Sequence, residues 1–435
     1  MFILSCIPEI MASAISLISP LIPKPIVVVF LLISFVKLFI LLKLDEDLTL
    51  KSFLVIIATS SLFNAGILMR FLSGYISNIA ETVDLFVISL SGILIGITIY
   101  KAIHSKRLQR MKIERLFISF VIVYLISTVI IVILYYIFNS SNGDGSIKIA
   151  QLPSIQLPEI IKVTAVITSY ISTFLISKSK KISYILMLYT VNITSIILLF
   201  FLFQERGTTL LMTYFTFISA FMILSKSESY HTYKPITKIL FSSKAPVIMG
   251  SGYLFFIGTI KRVLHLLFPY RSDDGERIYG FNNSLFNLSS RLSADSSQIV
   301  SARQSIRDSW PIQLNFNARL NIPNASIKTA LSDYAYVMLA QAFGKWVAVI
   351  FILFFVFVYI YVIKDNSDVL AQAAAVMIVS QIAVHISGIV FTFCYTGINI
   401  PFLSPGGSSL LTSFIFFTFI FNSTLERNIK LWENY

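Results

Sequence analysis

Asp333 lies in ALSDYAYVMLAQAFG, where a polar stretch gives way to an apolar run. A carboxylate fixed at such a junction suits general-base work on a hydroxyl. The same junction suits a helix start, with Ser332 or Asp333 as the expected N-cap. Both roles are compatible, because a residue at a helix start is rigidly placed. Upstream, between about Phe268 and Leu331, stand Arg271, Arg277, Arg291, Arg303, Arg307, Arg319 and Lys328. Guanidinium forks match phosphate oxygens, so an anionic ligand is one reading of these cations. A solvated loop balanced by Asp273, Asp274, Glu276, Asp295 and Asp308 is the other. Glu159 and Lys162 in QLPEIIKVT are spaced i to i+3 and share a helix face, where they pair with each other or meet a ligand. His104, His231, His265 and His385 are scattered, and Cys6 and Cys394 stand at opposite ends, so no metal-ligand spacing emerges. P-loop, GxSxG and HExxH patterns are missing, which leaves ATP-driven transport and soluble-type hydrolysis unsupported.

The stretch from Gln381 to Ser409, QIAVHISGIVFTFCYTGINIPFLSPGGSS, starts as an apolar helix and ends among Gly397, Pro401, Pro405, Gly406, Gly407, Ser408 and Ser409. An apolar run, LLTSFIFFTFIF, follows at once. Irregular backbone at membrane depth is tolerated only where protein or a water-filled cavity satisfies its polar groups. The stretch therefore predicts a broken or re-entrant element that lines a cavity near one membrane face.

The elements that must position these residues are membrane helices. The 435 residues are 56% hydrophobic and only 13% charged, against roughly a quarter charged in a soluble protein. Apolar segments of about twenty residues recur, each long enough for a hydrocarbon core of about 30 Å. Spans are expected near 4–22, 26–43, 52–72, 83–102, 116–138, 156–177, 183–203, 208–225, 245–267, 335–363, 369–393 and 405–424. That makes an all-α polytopic membrane protein of twelve helices, or eleven if 4–22, interrupted by Pro8 and Glu9, lies in the interface. No cleavable leader is expected, since the first apolar stretch lacks a basic flank. The basic links HSKRLQRMKIER, KSKK, KSESYHTYKPITK and the terminal ERNIK fall on one side, which the positive-inside rule makes cytoplasmic. The net charge of +13 is thereby explained without nucleic acid. Four regions are expected: helices in 1–150, central helices in 151–267, a large extracytoplasmic loop in 268–334, and in 335–435 the last three helices with a cytoplasmic tail.

These pieces, in this order, resemble the SEDS family (shape, elongation, division and sporulation proteins), that of FtsW, RodA and SpoVE. The family's late signature, QALINIGVVTGLLPVTGVPLPFISYGGSS, aligns without a gap on Gln381, Thr396, Gly397, Pro401, Phe402, Ser404, Gly406, Gly407, Ser408 and Ser409. HTDFIFAVIAEELG is similar to LSDYAYVMLAQAFG, which places the family's essential aspartate on Asp333. QPSELAKL is similar to QLPEIIKV, matching Gln156, Glu159 and Lys162, and QPDLGTALV to QERGTTLLM, matching Gln204, Gly207 and Thr208. The likeness covers residues 150 to 425. Asn399, Pro405 and His385 depart from the signature, AQAFG lacks the acidic pair of AEELG, and the N-terminal part exceeds the usual ten-helix core.

The resemblance implies a peptidoglycan glycosyltransferase that polymerises lipid II at the outer face of the bacterial inner membrane. The role would be cell division or cell shape, with a class B penicillin-binding protein as partner. Asp333 would then be the catalytic base. Arg303 and Arg307, bracketing Gln304 and Ser305, would meet the pyrophosphate together with Lys162 and Glu159, and a divalent cation is compatible with that role. Ser404, Gly406, Gly407 and Ser408 would line the headgroup cavity. Three other readings share part of the pattern. They are a flippase or transporter for a lipid-linked precursor, an O-antigen polymerase or ligase, and a non-catalytic scaffold for the penicillin-binding protein.

Overall fold

The computed structural model describes residues 2–19, 22–44, 47–73, 79–105, 155–179, 294–315, 333–364, 368–390, 398–404 and 406–425, with short stretches and single positions between them. The expected span 245–267, most of 116–138, 183–203 and 208–225, and Arg271, Arg277, Arg291, Arg319 and Lys328 lie outside the described residues.

The chain is a polytopic all-α membrane protein. Its described helices are α1 (Phe2–Ser5), α2 (Ile7–Ile18), α3 (Pro25–Lys43), α4 (Leu50–Leu72), α5 (Ile79–Ile103), α6 (Leu157–Ser179), α7 (Ala294–Asp308), α8 (Ala335–Phe343), α9 (Lys345–Lys364), α10 (Val369–Val390) and α11 (Gly407–Ser423). Two strands of two residues each, β1 (Ser146–Ile147) and β2 (Ile155–Gln156), pair antiparallel just before α6. Local chemistry sets several starts. Pro25 opens α3, where its missing N–H costs nothing. Thr49 and Ser52 form a reciprocal capping box at α4.

Burial sorts the helices. The apolar stretches of α4 and α10 are 78% buried inside the protein, whereas that of α3 is only 22% buried and faces outward. Two bonds and a ring contact fix the ends. Thr49 donates through Oγ1 to the Thr424 carbonyl at 2.7 Å, and Tyr100 donates to Asp368 Oδ2 at 3.0 Å. The start of α4, the end of α5, the start of α10 and the end of α11 therefore share one end of the bundle. The Tyr170 ring in α6 lies 5.3 Å from His104, which closes α5. Leu157 is thirteen residues earlier, about 20 Å toward the opposite end.

Packing is closest where glycines replace side chains. Gly92 and Gly96, four apart on α5, face α11: a Cβ on Gly92 would come 2.7 Å from the Leu411 carbonyl oxygen, and one on Gly96 2.7 Å from Thr418 Cβ. This small-xxx-small pair lets two backbones approach in lipid, where packing replaces the hydrophobic drive. Below the break between α10 and α11, aromatic rings link the helices. Phe86 of α5 meets Phe63 of α4 edge-on at 5.2 Å, Phe63 meets Phe414 of α11 at 5.3 Å, and Phe414 meets Phe402 at 5.2 Å. Phe402 continues to Phe355 at 5.9 Å, which stacks on Tyr359 in α9 at 4.3 Å. The Tyr359 hydroxyl returns to Thr59 of α4 at 2.8 Å.

One expectation is corrected, and one alternative left open is narrowed. The span expected over 335–363 is two helices, broken at Gly344, whose φ is 99°. The cause is residues 310–315: Gln313 and Asn315 donate their amides to Phe343 and Ala342, while Lys345 and Trp346 donate theirs to Trp310 and Pro311. The segment expected over 4–22 is a four-residue turn of helix and a twelve-residue helix. At about 18 Å, α2 is too short to cross. It packs instead on α3 and α4, where Lys37 bonds both carboxylate oxygens of buried Glu9 at 3.0 and 3.1 Å.

Candidate functional site

Between α10 and α11, the described residues 398–404 form a compact turn. The Leu403 and Ser404 amides donate to the Ile400 carbonyl, and Ser404 Oγ accepts from the Ile400 amide at 3.0 Å. Phe402 holds φ at 65°, a left-handed conformation that costs a non-glycine residue about 1–3 kcal/mol. Its buried ring, wedged between Phe355 and Phe414, keeps it there. Gly66 makes room: a Cβ on it would lie 2.7 Å from the Leu403 carbonyl oxygen. Gly66 is six residues before the end of α4, so the turn sits about 9 Å inside that helix end. Protein groups bond the Ile400, Leu403 and Ser404 amides and the Ile398, Ile400 and Ser404 carbonyls, the kind of internal partner that membrane depth demands.

Two basic side chains meet carbonyls at either end of this turn. Arg70 of α4 donates through Nη2 to the Ser404 carbonyl at 2.7 Å, and His385 Nδ1 meets the Ile398 carbonyl at 2.5 Å. Arg70 is 1% exposed and His385 3%. Arg70 Nε and Nη1 and His385 Nε2 are buried without a hydrogen-bond partner among the described residues. Arg303, on amphipathic α7, donates through Nε to the Ile389 carbonyl at 2.8 Å, which ties that helix to the end of α10. Its Nη2 is likewise buried and unpartnered. Partial burial pulls the Arg303 guanidinium below its ordinary range, and it stays charged.

Glu159 and Lys162 form the pair that their spacing predicts, 2.6 Å apart and both buried at the start of α6. Glu159 Oε2 has no partner. Asp333 is half-buried, two residues ahead of α8. The cap position of α8 falls to Tyr334, which makes no side-chain capping bond, so Asp333 is not that cap, and Ser332 lies outside the described residues. Helix α8 packs against α4 and α7, which sets Asp333 one short helix away from Gly344.

The structure thus gathers Arg303 and Ser404, with Arg70 and His385, around one broken element. Gly406 occupies the N-cap of α11 without a side-chain cap, Gly407 begins the helix, and Ser408 is buried in its first turn. Gln304 instead bonds Asp308 on the exposed face of α7 at 2.8 and 2.9 Å. Ser305 offers its carbonyl to Ser309, and Arg307 is exposed, its carbonyl taken by Lys345 Nζ at 3.0 Å. The bonds of these three run within α7 or to Lys345, and none reaches a described residue of the turn. Arg70 escaped the sequence reading, because a lone arginine near a helix end reads as a snorkelling cation. The only signal was its place in an otherwise apolar run, FNAGILMRFL. Among the described residues no group of three or more His, Cys, Asp or Glu gathers, so they offer no ligand set for a resident divalent cation.

No model of a known protein family matches the chain, and no curated protein sequence does. Solved structures do match. One, described as "Structural coordination of polymerization and crosslinking by a peptidoglycan synthase complex", contains a chain similar to this one with a TM-score of 0.52 and 15% identity. The match covers 84% of this chain and 95% of that one. At that identity the likeness establishes a shared arrangement of helices.

Proposed function

We propose that this chain is a SEDS-type glycosyltransferase that polymerises peptidoglycan strands from lipid II at the outer face of a bacterial cytoplasmic membrane. The supporting observation is the break between α10 and α11. Its irregular backbone is held by buried basic side chains, in a fold similar to that of a chain from a peptidoglycan synthase complex. The signature residues Gly406, Gly407 and Ser408 lie at that break.

In this reading a sugar hydroxyl of the acceptor attacks the anomeric carbon of the donor. A C–O bond forms, the bond from the anomeric carbon to the phosphate oxygen breaks, and undecaprenyl pyrophosphate departs with the bonding electrons. The hydroxyl proton passes to Asp333, whose half-burial leaves it open to substrate. Arg303 contributes positive charge where the leaving group gathers negative charge. The Glu159–Lys162 pair fixes the start of α6 beside this end of the bundle. A class B penicillin-binding protein cross-links the emerging strand, and the assembly serves division or cell shape.

The test supplies labelled lipid II in detergent to the full chain with its partner, where polymer formation needs no flipping step. Asp333→Ala should lower polymerisation by about 10²–10⁴-fold while thermal unfolding stays in place. Polymer made at the wild-type rate by Asp333→Ala would overturn the assignment.

A further inference from the structure

Arg70 is a fully buried guanidinium with one nitrogen on a carbonyl and two with no partner among the described residues. A guanidinium keeps its charge at any ordinary pH, and a buried charge is stable only when an opposite charge or several acceptors face it. Its bond to the Ser404 carbonyl places the fork two residues from Gly406, within about 7.6 Å of chain. Gly406 opens the seventeen-residue helix α11 without a side-chain cap, so the positive end of that helix is presented to the same neighbourhood. His385 shows a related arrangement, with one nitrogen on Ile398 and the other buried and unpartnered.

We infer that Arg70 and the N-terminus of α11 form a phosphate subsite, in which Nε and Nη1 of Arg70 grip a phosphoryl oxygen of a lipid-linked pyrophosphate. This rests on the proposed function and deepens it. The subsite assigns part of the headgroup recognition to the first half of the chain, while Arg303 supplies charge from the loop helix. Arg70 has a second function within the same fork, because Nη2 holds the turn that carries Ser404. Anion binding and the geometry of the turn are thereby linked through one side chain.

The test compares full-length wild type, Arg70→Gln, Arg70→Lys and Asp333→Ala by native mass spectrometry and ligand-induced thermal shift. The probes are undecaprenyl pyrophosphate, undecaprenol and inorganic pyrophosphate. Wild type and Asp333→Ala should prefer undecaprenyl pyrophosphate over undecaprenol by about tenfold or more, and Arg70→Gln should lose that preference. Arg70→Lys, which keeps the charge and loses the fork, should retain part of it, and it serves as the second variant if Arg70→Gln does not fold. Stronger binding of inorganic pyrophosphate than of the lipid would assign the subsite to a free anion and overturn the lipid-linked form. Unchanged lipid preference in both Arg70 variants would overturn the subsite, and so would a wild type that does not discriminate against undecaprenol. Retained preference in Arg70→Gln with polymerisation lost in Asp333→Ala would sink the subsite alone. Lost preference in Arg70→Gln with full polymerisation by Asp333→Ala would instead sink the assignment of the base.

Discussion

Adding one methyl group to Gly92 tests how tightly α11 is held. The new Cβ would lie 2.7 Å from the Leu411 carbonyl oxygen and 2.9 Å from Phe414 Cβ. Ordinary separations are about 3.3 Å or more for carbon to oxygen and about 3.5–4.0 Å for carbon to carbon. Helix α11 must therefore retreat by roughly 0.6 Å, and because the obstacle is backbone, no side-chain rotation relieves it. Overpacking of this kind costs about 1–3 kcal/mol. For a chain of 435 residues that is a fall in unfolding temperature on the order of 1–3 °C. The control is Leu90→Ala on the same helix, where the side chain is 59% exposed and faces outward. Lipid tails are as apolar as leucine, so that change should leave the transition nearly in place. Thermal unfolding of the detergent-solubilised chain reads both. Equal midpoints for Gly92→Ala and Leu90→Ala would refute the close-approach argument.

Two more outcomes follow from the packing. Lys162→Met leaves Glu159 as an uncompensated buried carboxylate and should cost about 3–5 kcal/mol, whereas Glu159→Gln combined with Lys162→Met should recover much of it; chemical denaturation of the three variants checks the recovery. Gly344→Ala forces a Cβ onto a positive φ and to 2.6 Å from the Pro311 carbonyl. It should destabilise by at least about 1–3 kcal/mol and raise protease cleavage near residues 310–315 if that segment is what breaks the helix.

Much of the bundle was legible because long apolar runs have few alternatives. The spans expected at 26–43, 52–72 and 83–102 lie within α3, α4 and α5, and the break after Gln381 was announced by its glycines and prolines. The i to i+3 spacing of Glu159 and Lys162 also carried its pairing directly. The break at Gly344 was hidden, since the polar dip at Gln341 and Lys345 in YVMLAQAFGKWVAVIF is too short to mark a helix end and the hydrogen bonds that split it come from residues about thirty positions away. Gly92-Ile-Leu-Ile-Gly96 was available as a close-packing signal and went unused. The state of Arg70 was beyond reach, because its burial depends on a turn more than three hundred residues later.

The linked rings of Phe63, Phe414, Phe402, Phe355 and Tyr359, closed through Thr59, form one continuous layer of contacts among the described helices. They lie deeper in the bundle than Arg70, since Phe63 and Thr59 precede it by seven and eleven residues on α4, about 10 and 16 Å. Each ring contact contributes about 0.5–1.5 kcal/mol beyond its buried area. Opening a route through the middle of the bundle means breaking several of these contacts together, along with the strained turn at Phe402. Under the proposed function, a headgroup bound at the end that carries Arg70 would meet this layer as a floor. Such a floor suits chemistry on one side of a membrane better than passage across it.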